Sequence, residues 1–263
     1  MTGPVVLLDR PVPHVGRLLI NRPDKRNAID FDVREQLAAR FDELLADPSV
    51  RAVVFGGVGG VFSAGGDLPS MRGLTEQQAR QRMQHVHVLC RLVASASLPV
   101  VSAMEGIAAG AVVGLALLGD HLVGGPGTKL LFPFLRLGLT PDWGQMLTLP
   151  RRVGIVQAQR ILTCGQAVGG EEAHRIGLLD TLVPDDQVMD AAVGKASELA
   201  GQPREAYARM KRRLQEASGS LAEELAREAS DQVACLLSGD FEEGYSAFVE
   251  KRAPDFLRTG VPR

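Results

Sequence analysis

Along the first two-thirds of the chain, short apolar runs of strand length alternate with longer stretches of helical spacing. Residues 15–20 (VGRLLI), 51–55 (RAVVF), 99–104 (PVVSAM) and 130–132 read as strands, bounded by polar or Gly- and Pro-containing turns. Residues 31–46 read as a helix that places Val33, Leu37, Phe41 and Leu44 on one face. Further helices are expected at about 75–96, in the apolar stretch 106–119, and from about residue 144 onward. Strands alternating with helices predict parallel β-α units and an α/β fold, each unit burying its sheet beneath helices. Ligands in such folds collect where strand ends meet helices through Gly-rich turns. After Pro184 the pattern becomes helical only: 185–200, 204–217, 221–237 and 241–251, broken at GQP (201–203) and SGS (218–220). A core over residues 1–196 and a helical region over 197–263 are therefore expected. The helical region is too small for a rich core of its own and should pack on the core or on another subunit.

The 263 residues are 45% hydrophobic and 23% charged, the composition of an ordinary globular protein. A chain this long can bury roughly 70–75% of its unfolded surface and needs no staples. The net charge of −2, with no run of one sign, gives no reason to expect nucleic acid or an anionic membrane as partner. Cys90, Cys164 and Cys235 form no CxxC pair or zinc spacing and read as reduced thiols. No basic segment leads into an apolar stretch at the start, and 106–119 is too short to span a bilayer, so a cytoplasmic location is expected. Five scattered histidines without HExxH give no metal site, and His85 and His87 point to different faces of their helix. A dinucleotide fingerprint fails at Gly57 to Phe62, where Phe stands for the third glycine; GGPGTK lacks P-loop spacing, and no GxSxG elbow occurs.

Two Gly-rich turns remain. FSAGGDL (62–68) follows a strand and precedes a helical segment; EGIAAGA (105–111) follows a strand and opens the apolar helix. Small residues let backbone amides approach a ligand closely, and a helix N-terminus adds unpaired N–H groups. Converging on one carbonyl oxygen, the turns would form an oxyanion hole. On spacing alone, two tight turns with no ligand remain the simpler reading.

The motifs themselves resemble the crotonase, or enoyl-CoA hydratase/isomerase, superfamily. The resemblance runs from NRPDKRNAID through VRAVVFGGVGGVFSAGGDL, LPVVSAMEGIAAGAVVGLALLGD and LTCGQAVGGEEAHRIGLLDTLVP to FEEGYSAFVEKRAPDF, five motifs in order. It implies a spiral of ββα units with a C-terminal helical region that forms trimers, often paired into hexamers. It implies an acyl-CoA substrate, no separate cofactor, and a thioester carbonyl held by the N–H groups of Gly66 and Ala111, with Gly110 preceding the second donor. Ala111 replaces a common glycine, which a backbone donor tolerates. By the same resemblance Arg26, Ala28, Ala64, Asp67 and Leu68 line the path of the coenzyme, and Phe248 and Lys251 touch its end.

Hydratases of this family use two glutamates, whose positions fall here at Gly114 and Phe134. Neither can transfer a proton. An acid appears instead at Asp142, in LGLTPDWG, where family members that move double bonds carry Asp or Glu. One carboxylate can take a proton from C2 and return it at C4 while the oxyanion hole holds the dienolate. Phe134 and Trp143 beside it would exclude water. Three readings stay open: an enoyl-CoA isomerase; another reaction of the family, such as hydration, thioester hydrolysis or decarboxylation; and a catalytically silent acyl-CoA-binding subunit. Asp142 has its own alternative, a helix N-cap after Pro141.

Overall fold

The computed structural model describes residues 3–216 and 219–258. Two sheets form the α/β core. The larger runs in the order β1 (Val6–Val12), β2 (Val15–Ile20), β3 (Ala52–Gly57), β4 (Val100–Met104), β6 (His121–Gly124) and β9 (Thr181–Leu182). The smaller holds β5 (Ile107–Ala109), β7 (Lys129–Leu131) and β8 (Val168–Gly169). β1 and β2 form an antiparallel hairpin, whereas β2, β3, β4, β6 and β9 run parallel.

The chain climbs repeatedly from the larger sheet to the smaller one. β4 leads into β5 and β6 into β7; β3 leads to Ser63, which forms a parallel bridge to Ala108 of β5. Ala108 in turn pairs with Leu130 of β7, so Ser63, Ala108 and Leu130 stand side by side from three successive units. That is the expected ββα spiral.

Both faces of the large sheet are covered, which is why its strands read as near-continuous apolar runs. On one face, α1 (Phe31–Ala46) and α2 (Glu76–Ala94) join a core that includes Val53, Phe55 and Val100. Val33, Leu37, Phe41 and Leu44 are all buried there, as their spacing predicts. On the other face, α7 (Val188–Ala200) lays Val188, Ala192 and Ala196 over Val54, Val101 and Val123. Helix starts follow local chemistry: Asp30 accepts from Val33 N at 3.0 Å, and Thr75 and Gln78 form a reciprocal capping box.

Several expectations shift in detail. β1 was not anticipated, because the stretch holds Asp9, Arg10 and Pro11 and shows no clean alternation. The apolar stretch 106–119 is not one helix: β5 comes first, Gly110 breaks it, and α3 (Ala111–Leu117) follows. Residues 185–187 form a 3-10 turn ahead of α7, which runs unbroken past residue 196 to Ala200. Between β7 and α7 lie α4 (Gln145–Val153), α5 (Ile155–Cys164) and α6 (Gly170–Arg175).

The C-terminal region comprises α8 (Arg204–Gln215), α9 (Leu221–Leu236) and α10 (Gly239–Glu250). The expected end of the helix at 217 and its break at Ser218 lie outside the described residues. α8 is pinned to the core by Lys211, whose buried ammonium donates to Leu98 O at 3.1 Å and to Asp120 Oδ2 at 2.7 Å. α9 and α10 carry many exposed apolar side chains, among them Leu221, Val233, Phe241 and Phe248. Among the described residues, no helix is long and apolar enough to cross a membrane.

Candidate active site

The loop after β3 is threaded between two neighbours, and its hydrogen bonds account for almost every N–H it owns. Towards β5, Phe62 N donates to Glu105 O at 2.9 Å and Ser63 N to Ile107 O at 3.0 Å. Towards residues 26–29, Ala64 N donates to Arg26 O at 2.8 Å and Asp67 N to Ile29 O at 2.9 Å. Gly65 N is taken by Ser63 Oγ at 3.0 Å. Gly66 is left over: among the described residues no acceptor takes its N–H.

The second loop repeats the arrangement. Ala109 N donates to Ser63 O at 3.0 Å and Gly110 N to Leu131 O at 2.8 Å. Ala111 then opens α3, where the first N–H groups have no partner within the helix. Its N–H also finds no acceptor among the described residues. The isolated parallel bridge between Ser63 and Ala108 starts the two loops side by side. Gly66 and Ala111 both line one cavity of about 380 Å³.

Glycine is required at two places here. Gly65 has φ +91°, and a Cβ on it would lie 2.6 Å from Ala109 O, so the loops touch backbone to backbone. Gly110 has φ 49° and ψ −107°, a conformation that turns β5 into α3 within one residue.

Asp142 lines the same cavity. It is not a helix N-cap: α4 begins at Gln145, its N-cap is Gly144, and no side chain caps it. The cap alternative is thereby overturned. Asp142 Oδ1 is buried and has no hydrogen-bond partner. Burial pushes the carboxyl above the usual aspartate range, opposed chiefly by the nearby Arg82 guanidinium and less by His87. Cys90 lies close by, its thiol pushed up to about 12 by burial first and the Asp142 charge second.

The two hydratase positions are occupied in physically different ways. A Cβ on Gly114 would sit 2.5 Å from Trp143 Cβ and 3.0 Å from Gln145 Cγ, so no carboxylate fits there. Phe134 is buried and presents its ring to the cavity wall. Trp143, with φ +54°, fills the space behind the cavity and does not line it. Gln145 Nε2 holds the corner, donating to Gly110 O and to Asp142 O, both at 3.1 Å.

Of the remaining expected residues, Ala28, Ala64, Asp67, Leu68 and Gly110 also line the cavity. Asp67 is buried and ion-paired at 3.5 Å with both Arg22 and Lys25. Arg26 adopts a left-handed conformation and contributes its carbonyl, while its side chain stays outside the cavity wall. Phe248 and Lys251 are not brought to the cavity; both are exposed on and just after α10. Sequence reasoning missed Arg82, which lines the cavity. Its signal was a cation at the head of the 82, 86, 89, 93 stripe of α2, whose other members are buried. Among the described residues, no group of three or more His, Cys, Asp or Glu could hold a metal ion.

Two unpaired N–H groups and one desolvated carboxylate around a single cavity can stabilise an enolate and move a proton. Comparisons with known proteins agree with that chemistry. The sequence model of the family described as "Enoyl-CoA hydratase/isomerase" matches residues 13–259. A "Probable enoyl-CoA hydratase echA12" of Mycobacterium bovis is 33% identical over 266 aligned positions, covering 97% of this chain and 93% of that protein. The "1,2-epoxyphenylacetyl-CoA isomerase" of Escherichia coli is 32% identical, covering 91% of this chain and 93% of that protein. Among solved structures, an enoyl-CoA hydratase from Bacillus anthracis superposes with a TM-score of 0.90 at 26% identity, covering 98% of this chain and 100% of that one. On the match over nearly its whole length, the chain belongs to the enoyl-CoA hydratase/isomerase family.

Proposed function

We propose that this enzyme of acyl-CoA metabolism shifts a double bond of an enoyl-CoA from C3 to C2. Asp142 takes a proton from C2, the N–H groups of Gly66 and Ala111 stabilise the resulting dienolate, and the same carboxyl returns the proton at C4. The observation that carries this reading is a desolvated carboxylate, without an ion pair among the described residues, sharing a cavity with two free N–H groups. The other carboxylate there, Asp67, is paired with Arg22 and Lys25, and Gly114 has no space for an acid. Phe134, Leu137 and Leu139 give the cavity wall an apolar part, which disfavours water addition. The coenzyme A thioester is itself the substrate, so the chemistry needs no resident cofactor. Lys25, Ala28 and Leu68 mark the end of the cavity nearest the coenzyme, with Arg26, Phe248 and Lys251 as further contacts for its phosphates and adenine.

Asp142→Asn tests the proposal. General acid-base catalysis contributes about 10²–10⁴-fold, so kcat on a 3-enoyl-CoA should fall by that range while KM changes little. Equal rates would remove Asp142 from the mechanism. The relatives named as hydratases favour a second reading, water addition to a 2-enoyl-CoA in the same oxyanion hole. Turnover of 2-enoyl-CoA to the 3-hydroxy product, unaffected by loss of Asp142, would select it. Tight binding of CoA esters without turnover of either would select a silent binding subunit.

The exposed apolar side chains of α9 and α10 support a homotrimer or a dimer of trimers. Light scattering on the purified chain should give three or six times the monomer mass; a monomer would remove this part of the proposal.

A further inference from the structure

α2 packs an apolar stripe against the core, and that stripe starts with a cation. Val86, Leu89 and Val93 are buried, and Arg82 occupies the preceding position on the same face. Its guanidinium reaches the oxyanion-hole loop: a Cβ on Gly66 would lie 3.6 Å from Arg82 Nη2. Arg82 also borders a second cavity, of about 610 Å³, in the cleft between α1 and α2. Arg82 is thus the side chain at which the two cavity walls meet.

A second arginine stands on the far side of that meeting point. Arg34 of α1 lines the second cavity and is only 5% exposed, its guanidinium 6.0 Å from the centre of the Phe31 ring. Arg34 Nε and Arg82 Nη1 are both buried without a hydrogen-bond partner. Among the described residues, neither arginine forms an ion pair with a carboxylate. The rest of the polar lining is neutral or basic, including Ser70, Gln78 and Gln81, and contains no acid. The two cations repel each other: burial first and Arg82 second bring Arg34 down to about 10, with Asp30 pulling weakly the other way. Arg82 is lowered by burial and supported only by the charge of Asp142.

Two guanidinium groups, one buried and one half-buried, that have no ion-paired carboxylate are costly to maintain in a folded chain. Their forked N–H donors suit a carboxylate. We propose that the acyl group carries a carboxylate at its far end, and that Arg82 and Arg34 bind it. The substrate class is then a short CoA half-thioester of an unsaturated dicarboxylic acid. Arg82 lies beside the oxyanion hole, so the chain that reaches it is short. The proposal rests on the reading that the first cavity holds an acyl-CoA, and it adds the chemistry of the other end.

Binding separates the two ideas, because it requires no turnover. Isothermal titration compares a saturated dicarboxylic half-thioester of coenzyme A with the saturated monocarboxylic acyl-CoA of equal length. The wild-type chain should bind the dicarboxylic ester about 10- to 100-fold more tightly, the worth of a charge-assisted pair in a desolvated site. Arg34→Gln and Arg82→Gln should each erase most of that preference, and Arg34→Lys should keep part of it. Equal wild-type affinities, or tighter binding of the monocarboxylic ester, would overturn the carboxylate proposal and leave the acyl-CoA site standing. Failure of both esters to bind would overturn the acyl-CoA reading itself. The wild-type comparison decides the sign even if an arginine variant does not fold.

Discussion

Gly65→Ala puts the apposition of the two loops under direct load. Its φ of +91° gives any L-residue a left-handed penalty of roughly 1–2 kcal/mol. The new Cβ would also lie 2.6 Å from Ala109 O, where ordinary contacts begin near 3.4 Å. Relief requires the loops to part by about 0.4–0.8 Å, and misplacement on the order of 1 Å in an active site can cost ~100-fold in rate. Gly59→Ala is the matched control: Gly59 has φ +73° but nothing within 4 Å of a Cβ, so it carries the conformational penalty without the crowding. Both variants should lose stability, Gly65→Ala by about 1–3 kcal/mol more through overpacking. Only Gly65→Ala should lose kcat, by roughly 10- to 100-fold. Thermal unfolding reports the first quantity. The second comes from the ultraviolet absorbance gained as the double bond conjugates with the thioester. A Gly65→Ala enzyme that is destabilised yet turns over within twofold of Gly59→Ala would refute the argument that this contact sets the donor geometry.

Four further outcomes follow from the same structure. Asp142 must be ionised to act as a base and burial raises its pKa, so kcat/KM should fall as pH drops through a value above the usual aspartate range, as a pH-rate profile will show. A carboxyl whose folded pKa is raised costs stability once ionised, so the Tm advantage of Asp142→Asn over wild type should grow as pH rises through that range and then level off. Gly114→Glu should not create a hydratase, because its Cβ would collide with Trp143 Cβ at 2.5 Å; a Tm loss with no 3-hydroxyacyl-CoA formed is the expected result. Lys211→Met should destabilise the chain by about 1–3 kcal/mol in urea unfolding, since it leaves the partly buried Asp120 carboxylate without its cation.

The fold was legible wherever one local rule sufficed. The strands at 15–20 and 99–104 are continuous apolar runs because both faces of their sheet are covered, and the face of α1 follows helical spacing. β1 was hidden because its partner β2, and not its own pattern, makes it a strand. The break at Gly110 was hidden inside one apolar stretch, since strand and helix draw on the same residues there. At the site, Gly66, Ala111 and Asp142 were visible because special backbone positions and a lone acid stand out in sequence. Trp143 was expected at the wall and sits behind it, turned by its positive φ against Gly114. Arg82 and Arg34 escaped notice because an arginine on a helix normally reaches solvent, whereas here Arg34 is buried and Arg82 half-buried in the cleft between α1 and α2.

A crystal structure with an unreactive 3-enoyl-CoA analogue examines the whole account at once. The expected result is a thioester oxygen within about 2.7–3.1 Å of both the Gly66 and Ala111 nitrogens. The Asp142 carboxylate should then lie within proton-transfer reach of C2 and C4 on one face of the chain. A thioester oxygen bonded elsewhere, or Asp142 turned away from both carbons, would contradict it.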